Sequence, residues 1–119
     1  MPNPVVHFEI GGPDHEALKA FYEGVFGWEV HDMPEAGYSL VHAREGEVGI
    51  DGGMPVHDTP WVCIYIEVPD PQASLDAAVA AGGQVVMPVT EAPGVTLAMF
   101  TDPAGNTVGI IEAEEHPTA

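Results

Sequence analysis

Basic residues are almost missing from this chain: two Lys and Arg stand against nineteen Asp and Glu among 119 residues, a formal charge of −17. Such a surface repels phosphate backbones and anionic headgroups, so neither nucleic acid nor a membrane is an expected partner. Cysteine is nearly missing too, and one thiol, Cys63, cannot build an intramolecular disulfide framework. No apolar run approaches the roughly 20 residues that cross a bilayer as a helix. The first residues also lack the basic flank and apolar core of a secretion signal. A soluble, cytoplasmic protein is expected. The acidity has two readings, attraction of a cationic ligand or simply a solvated surface, and charge of this kind usually describes a surface.

What is present is a repeated plan. Val6-His7-Phe8-Glu9-Ile10 matches Val62-Cys63-Ile64-Tyr65-Ile66 at an offset of 56 positions, which also superposes Pro13-Asp14 on Pro69-Asp70, Ala17 on Ala73, Gly27 on Gly83 and Val30 on Val86. Each copy opens with an alternating strand. Val6, Phe8 and Ile10 point one way while Val5, His7 and Glu9 point the other; Val62, Ile64 and Ile66 oppose Trp61, Cys63 and Tyr65. A Pro-Asp helix start follows in each, giving expected helices Pro13–Val25, with Leu18, Phe21, Tyr22 and Val25 as its apolar stripe, and Pro71–Ala81. The remaining strands are expected at Trp28–His31, Tyr38–Ala43 and Val48–Asp51, then at Gln84–Pro88, Thr96–Thr101 and Thr107–Glu112, between turn-forming stretches such as "PEAG" and "DPAGN".

The fold class is therefore α+β, a βαβββ module used twice within one domain of 119 residues. Module one spans 1–54, a linker 52–60, module two 61–113 and a tail 114–119. Trp28, Phe21, Phe26 and Phe100 are expected in the core.

With this plan, "FYEGVFGWEV" at Phe21–Val30 and "FTDPAGNTVGIIE" at Phe100–Glu112 resemble the vicinal-oxygen-chelate superfamily: glyoxalase I, extradiol dioxygenases, and the bleomycin- and fosfomycin-resistance proteins. The resemblance covers nearly the whole chain. It implies that the sheets of paired modules curl around a cavity, and that a small member forms a homodimer. In metal-dependent members a divalent ion is held by two residues of the first strands, usually His, and two of the fourth strands, usually Glu. The matching first-strand positions are His7 and Cys63. Pairing Val48-Gly49-Ile50 with Val108-Gly109-Ile110 puts Gly49 and Gly109 at the fourth-strand positions, where glycine offers no donor. The resemblance thus implies a site with no metal and no cofactor. A shift of register would instead bring Asp51 beside His7 and Cys63, a set able to hold zinc. His15, His31, His42, His57 and His116 are expected to be exposed or hydrogen-bonded.

Strand alternation places Val5, His7, Glu9, Gly49, Asp51, Trp61, Cys63, Tyr65, Glu67, Gly109 and Ile111 on the cavity faces. Aromatic surface, carboxylates, an imidazole and a thiol together suit an organic ligand with apolar area and a polar or cationic group. The leading expectation is a metal-free small-molecule binding protein that sequesters a drug or natural product, as antibiotic-resistance members do. The alternatives are a metal-independent lyase, isomerase or cyclase acting on a carbonyl compound, with His7 as base and Glu9 or Asp51 as its partner, and a metal-dependent enzyme of the glyoxalase or dioxygenase type.

Overall fold

A computed structural model describes residues 2–113; the segment 114–119, with His116 and the expected tail, lies outside the described residues. The elements run β1 (Val5–Gly11), α1 (His15–Phe26), β2 (Glu29–Met33), a single 3-10 turn (Pro34–Ala36), β3 (Tyr38–His42), β4 (Gly52–Pro55), β5 (Trp61–Val68), α2 (Pro71–Ala80), β6 (Gln84–Ala92), β7 (Val95–Thr101) and β8 (Thr107–Glu112). This is the α+β, twice-used βαβββ order that the repeat predicts.

The described chain falls into two compact units, residues 6–64, and residues 65–113 together with 2–5. The first residues join the second unit because the Glu67 N–H donates to the Pro4 carbonyl at 2.9 Å. Strand order in the first unit is β2-β3-β4-β1 and in the second β5-β8-β7-β6. In each, the fourth strand of the module lies parallel to the first: β4 beside β1 with Glu9 opposite Gly53, and β8 beside β5 with Tyr65 opposite Gly109.

One face of each sheet carries the core. In the first unit Val30, Val41 and Met54 are buried, packed by Phe8, Ile10, Leu18, Tyr22 and Trp28. In the second, Val68, Leu75, Ala98 and Ile110 are buried beneath Ile66, Val89 and Phe100. Both helices are stopped and started as their sequences dictate. Asp14 accepts from the Ala17 N–H at 3.1 Å, Asp70 from those of Gln72 and Ala73, and Gly27 closes α1 in the left-handed region with φ 71°.

Two expectations need correction. Phe21 and Phe26 are not core residues; they are 55% and 62% exposed on α1. Only Leu18 and Tyr22 of the expected stripe reach the first core, where the ring of Trp28 stacks on Tyr22 with centroids 4.8 Å apart.

The second correction concerns the fourth strand of module one, which is Gly52–Pro55 and so occupies the start of the segment read as a linker. Val48–Asp51 is a loop. Its Val48 is 76% exposed, its Gly49 has φ 87°, and only an isolated bridge joins Glu45 to Val48. Glycines and a proline made "GGMP" look like turn chemistry, yet both glycines are required by packing. A Cβ on Gly52 would sit 2.6 Å from the Phe8 ring, and one on Gly53 would sit 1.6 Å from the Tyr38 hydroxyl.

Candidate functional site

Register assigns the open face of each sheet, the one turned away from its core. In the first unit Glu9, Gly53 and Leu40 lie across from one another, as do Tyr38 and Pro55, and strand alternation adds His7. In the second, Tyr65, Gly109 and Met99 form one row and Glu67, Ile111 and Leu97 the next.

The fourth-strand positions facing these rows are Gly53 and Gly109, separated by the same 56 positions as Glu9 and Tyr65. Gly49 is therefore not the counterpart of Gly109 and lies on no strand. Neither true position is an empty notch. A Cβ on Gly109 would come within 2.4 Å of two carbons of the Tyr65 ring, as one on Gly53 would collide with Tyr38. In each unit a tyrosine lies where a longer fourth-strand side chain would begin.

His7 is anchored by this arrangement. Its Nε2 is 2.8 Å from the Tyr38 hydroxyl. Burial lowers its pKa from the ordinary 6.5, against the opposing pull of the Glu9 and Asp51 carboxylates, which favours the neutral ring. Glu9 is buried, 9% exposed, and its Oε1 accepts from the Trp61 indole N–H at 3.1 Å. The Trp61 ring in turn stacks on His57, centroids 4.7 Å apart. His7, Tyr38, Glu9, Trp61 and His57 thus form two neighbouring polar and aromatic chains on the first unit.

The remaining expected site residues divide. Cys63 is buried at 2% exposure, with its thiol 3.4 Å from the Ile64 carbonyl. Tyr65 is buried over Gly109, while Glu67 and Ile111 are half-buried on the open face of the second unit and Val5 is exposed. Gly49 lies in a loop, and Asp51, whose charge acts on His7, follows it there rather than standing on a strand. The Asp51 carboxylate accepts the Ala43 and Arg44 N–H groups at 3.0 and 2.9 Å and stands 3.3 Å from His42, which closes the loop after β3. The backbone N–H of Arg44, foremost, holds its carboxyl below the usual range. Tyr38 and Gly53 were missed. The 56-residue offset, carried through to Gly109, points to Gly53; Tyr38 has no counterpart signal in the repeat.

A metal of the kind implied by the resemblance does not fit these residues. Of the four positions, only His7 and Cys63 carry donors, and Gly53 and Gly109 cannot accept even a methyl group without displacing a tyrosine. Among the described residues a second cluster, His15, Glu16 and Asp32, brings three potential ligand atoms within 4.8 Å. Its contacts are those of a structural staple. Asp32 accepts from Ser39 Oγ at 2.7 Å and Lys19 Nζ at 3.1 Å, with His15 Nε2 at 3.2 Å, binding α1 to the β2–β3 hairpin. The Ser39 hydroxyl, then His15 and Lys19, hold the Asp32 carboxyl well below the usual carboxylate range.

Comparison with known proteins agrees with this architecture. The chain is 34% identical over 116 residues to a Mycobacterium bovis protein named "Putative glyoxylase CFP32", covering 87% of this chain and 43% of that one. It is 29% identical over 124 residues to the anthracycline biosynthesis protein DnrV of Streptomyces peucetius, covering 87% and 45%. The chain thus spans less than half the length of the curated relatives it matches. Among solved structures, the Mn(II)-bound glyoxalase from Novosphingobium aromaticivorans superposes with a TM-score of 0.68 at 22% identity, over 99% of this chain and 42% of that one. A single-residue variant of the Streptomyces coelicolor methylmalonyl-CoA epimerase, in complex with 2-nitronate-propionyl-CoA, gives 0.68 at 17%, over 98% and 100%. At such identities the likeness is one of fold. The family model matches residues 5–110, and with the paired βαβββ modules it makes this chain a member of the Glyoxalase/Bleomycin resistance protein/Dioxygenase superfamily.

Proposed function

We propose that this chain is a metal-free small-molecule binding member of its superfamily, holding an organic ligand against the open faces of its sheets. The observation that carries the reading is the pair of tyrosines over Gly53 and Gly109, which put aromatic surface where a metal-binding carboxylate would stem. What remains in the first unit is a neutral imidazole, a phenol, an indole and a buried carboxylate. The second offers Tyr65, Leu97, Met99 and Ile111. Such surfaces suit an aromatic molecule with a few polar atoms, and the charge of −17 favours a cationic one. A relative named for anthracycline biosynthesis is in keeping with a natural-product ligand. The same reading has the protein cytoplasmic, homodimeric and able to sequester a drug.

The test is thermal shift and calorimetry across cationic and aromatic natural products, beside elemental analysis of protein purified without chelator. A true ligand at 100 times its Kd stabilises the fold by about 2.7 kcal/mol. A screen in which nothing stabilises the protein, or stoichiometric zinc, nickel, manganese or iron, overturns the reading.

A second reading, a metal-independent lyase, isomerase or cyclase with His7 as base, is favoured by the neutral state of His7 and its bond to Tyr38. His7→Ala separates the two: turnover collapses in an enzyme, whereas binding by shape and stacking falls only modestly.

A further inference from the structure

We propose that the second unit carries a binding site of its own for a small, neutral aromatic molecule, in the cavity between α2 and the core face of its sheet. The cavity holds about 350 Å³, within the roughly 300–1,000 Å³ usual for ligand pockets. It is separate from the open-face site proposed above. Its sheet wall is built by Ile66, Phe100 and Ile110, which alternate along their strands with Tyr65, Met99 and Gly109 of the open row.

The internal repeat explains why a cavity is there. At the offset of 56 positions, Leu18 and Tyr22 of α1 correspond to Ser74 and Ala78 of α2, which line the cavity together with Ala77. Trp28 corresponds to Gln84, which is exposed. In the first unit Leu18, Tyr22 and Trp28 pack against a core that includes Met54, and the Tyr22 and Trp28 rings stack with centroids 4.8 Å apart and 11° between their planes. The counterpart of Met54 is Ile110, and it lines the cavity. The first unit thus fills the space over its sheet with a phenol and an indole of its own chain, where the second has only small side chains on the helix. Leu75, one position along from Ser74, is buried in the core and holds α2 to the sheet without closing the space beside it.

The class of ligand follows from the lining. The Phe100 ring offers an aromatic molecule a partner for stacked or edge-to-face packing, and the isoleucines and alanines around it are apolar. Among the described residues that line the cavity none is charged, so a charged ligand would lose its hydration with no opposite charge to replace it. Two lining residues are polar, Ser74 from α2 and Asn3 from the segment before β1. That segment is tied to the second unit by the bond from the Glu67 N–H to the Pro4 carbonyl, 2.9 Å long. A hydroxyl and a carboxamide each donate and accept hydrogen bonds, which matches a ligand bearing one phenolic O–H or indole N–H. A phenol and an indole are also what the first unit places in the equivalent layer.

The experiment titrates p-cresol, the tyrosine side chain as a free molecule, into the full chain and into Ala78→Tyr, which fills the cavity from the helix, and follows both by NMR. In the unaltered protein p-cresol is expected to bind with a millimolar or lower dissociation constant and to show nuclear Overhauser contacts to the methyl groups of Ala78 and Ile110. Ala78→Tyr is expected to weaken binding about tenfold or more. Should that variant fail to fold, Ser74→Leu occupies the same space with a smaller group and carries the same expectation. The anion p-toluate, the same ring with a carboxylate, is expected not to bind at equal concentration. Undiminished binding in a folded variant overturns the proposal, as do equal binding of the two probes and a p-cresol that never binds. Contacts from p-cresol to Leu97 or Met99 overturn it by placing the ring on the open face, in support of the reading above. Contacts from the Ala78 methyl to residues 114–119 or to a second copy of the chain, seen without probe, overturn it by showing that protein covers the cavity.

Discussion

At the scale of single residues, His7 is defined by what surrounds it. An imidazole on an alternating strand is expected from sequence, but its partner Tyr38 stands 31 positions away and enters only because β3 pairs with β4. Burial disfavours the imidazolium, so the folded pKa of His7 lies below the 6.5 of an unfolded chain. Between those two values the unfolded chain binds more protons than the folded one, and stability falls as the pH falls. Stability measured by chemical denaturation is therefore expected to decline from about pH 6.5 downward, and His7→Gln, which keeps a donor toward Tyr38, is expected to flatten that decline. The window is distinct from the acid loss due to Asp51 and Asp102, whose carboxyls are held below 3.8 and matter only at lower pH. Equal slopes for the two proteins from pH 8 to 5 would show that His7 is not buried at a cost to its charged form.

At the scale of elements, the fourth strand of the first unit decides which glycine belongs to the site. The pattern "EVGID" resembles "TVGII" closely enough to pass for a strand, while "GGMP" resembles a turn. Local pattern fails here because a strand glycine is justified only by what crosses it. Phe8 crosses Gly52 in the core and Tyr38 crosses Gly53 on the open face. Gly53→Ala is expected to cost about 1–3 kcal/mol, the usual penalty of forcing extra atoms into a packed site, and most of that cost should vanish in a Tyr38→Ala background. Gly49→Ala is also expected to destabilise, since φ is 87°, but through backbone strain that Tyr38→Ala does not relieve. Denaturant unfolding of the two double-mutant cycles measures the difference; a Gly53→Ala cost that is the same with and without Tyr38 would refute the packing account. Other elements were legible without tertiary information. Asp14 and Asp70 announce the starts of α1 and α2, and both carboxylates accept from helix N–H groups. The exposed faces of Phe21 and Phe26 were not legible, because an apolar stripe on a helix does not say how much of it the sheet can cover.

For the whole molecule, the charge of −17 is the dominant physical fact. Few cations are available to offset it: Lys19 pairs with Asp32 at 3.1 Å, and the Arg44 guanidinium is engaged by the Gly46 carbonyl. Mutual repulsion of carboxylates destabilises a compact state, and salt screens it over a Debye length of about 8 Å at physiological ionic strength. The thermal midpoint is accordingly expected to rise as sodium chloride is raised from a few millimolar, by roughly 4 °C for each kcal/mol of repulsion removed. A midpoint that is flat or falls with salt would mean that the carboxylates are held apart or paired well enough not to repel.

The sequence by itself determined the repeated βαβββ plan, the helix starts and the family, because those rest on short-range signals: alternation, capping residues and an internal offset. It also placed His7, Glu9, Trp61, Cys63, Tyr65 and Gly109 on strands, since a strand's side chains alternate whatever lies beside it. The 56-residue offset, carried to the fourth strands, points to Gly53, but only the tertiary structure decided that a tyrosine covers each of Gly53 and Gly109 and that His7 meets Tyr38. Those are contacts between strands distant in the chain. Their geometry depends on the register of pairing, which no local pattern of residues encodes.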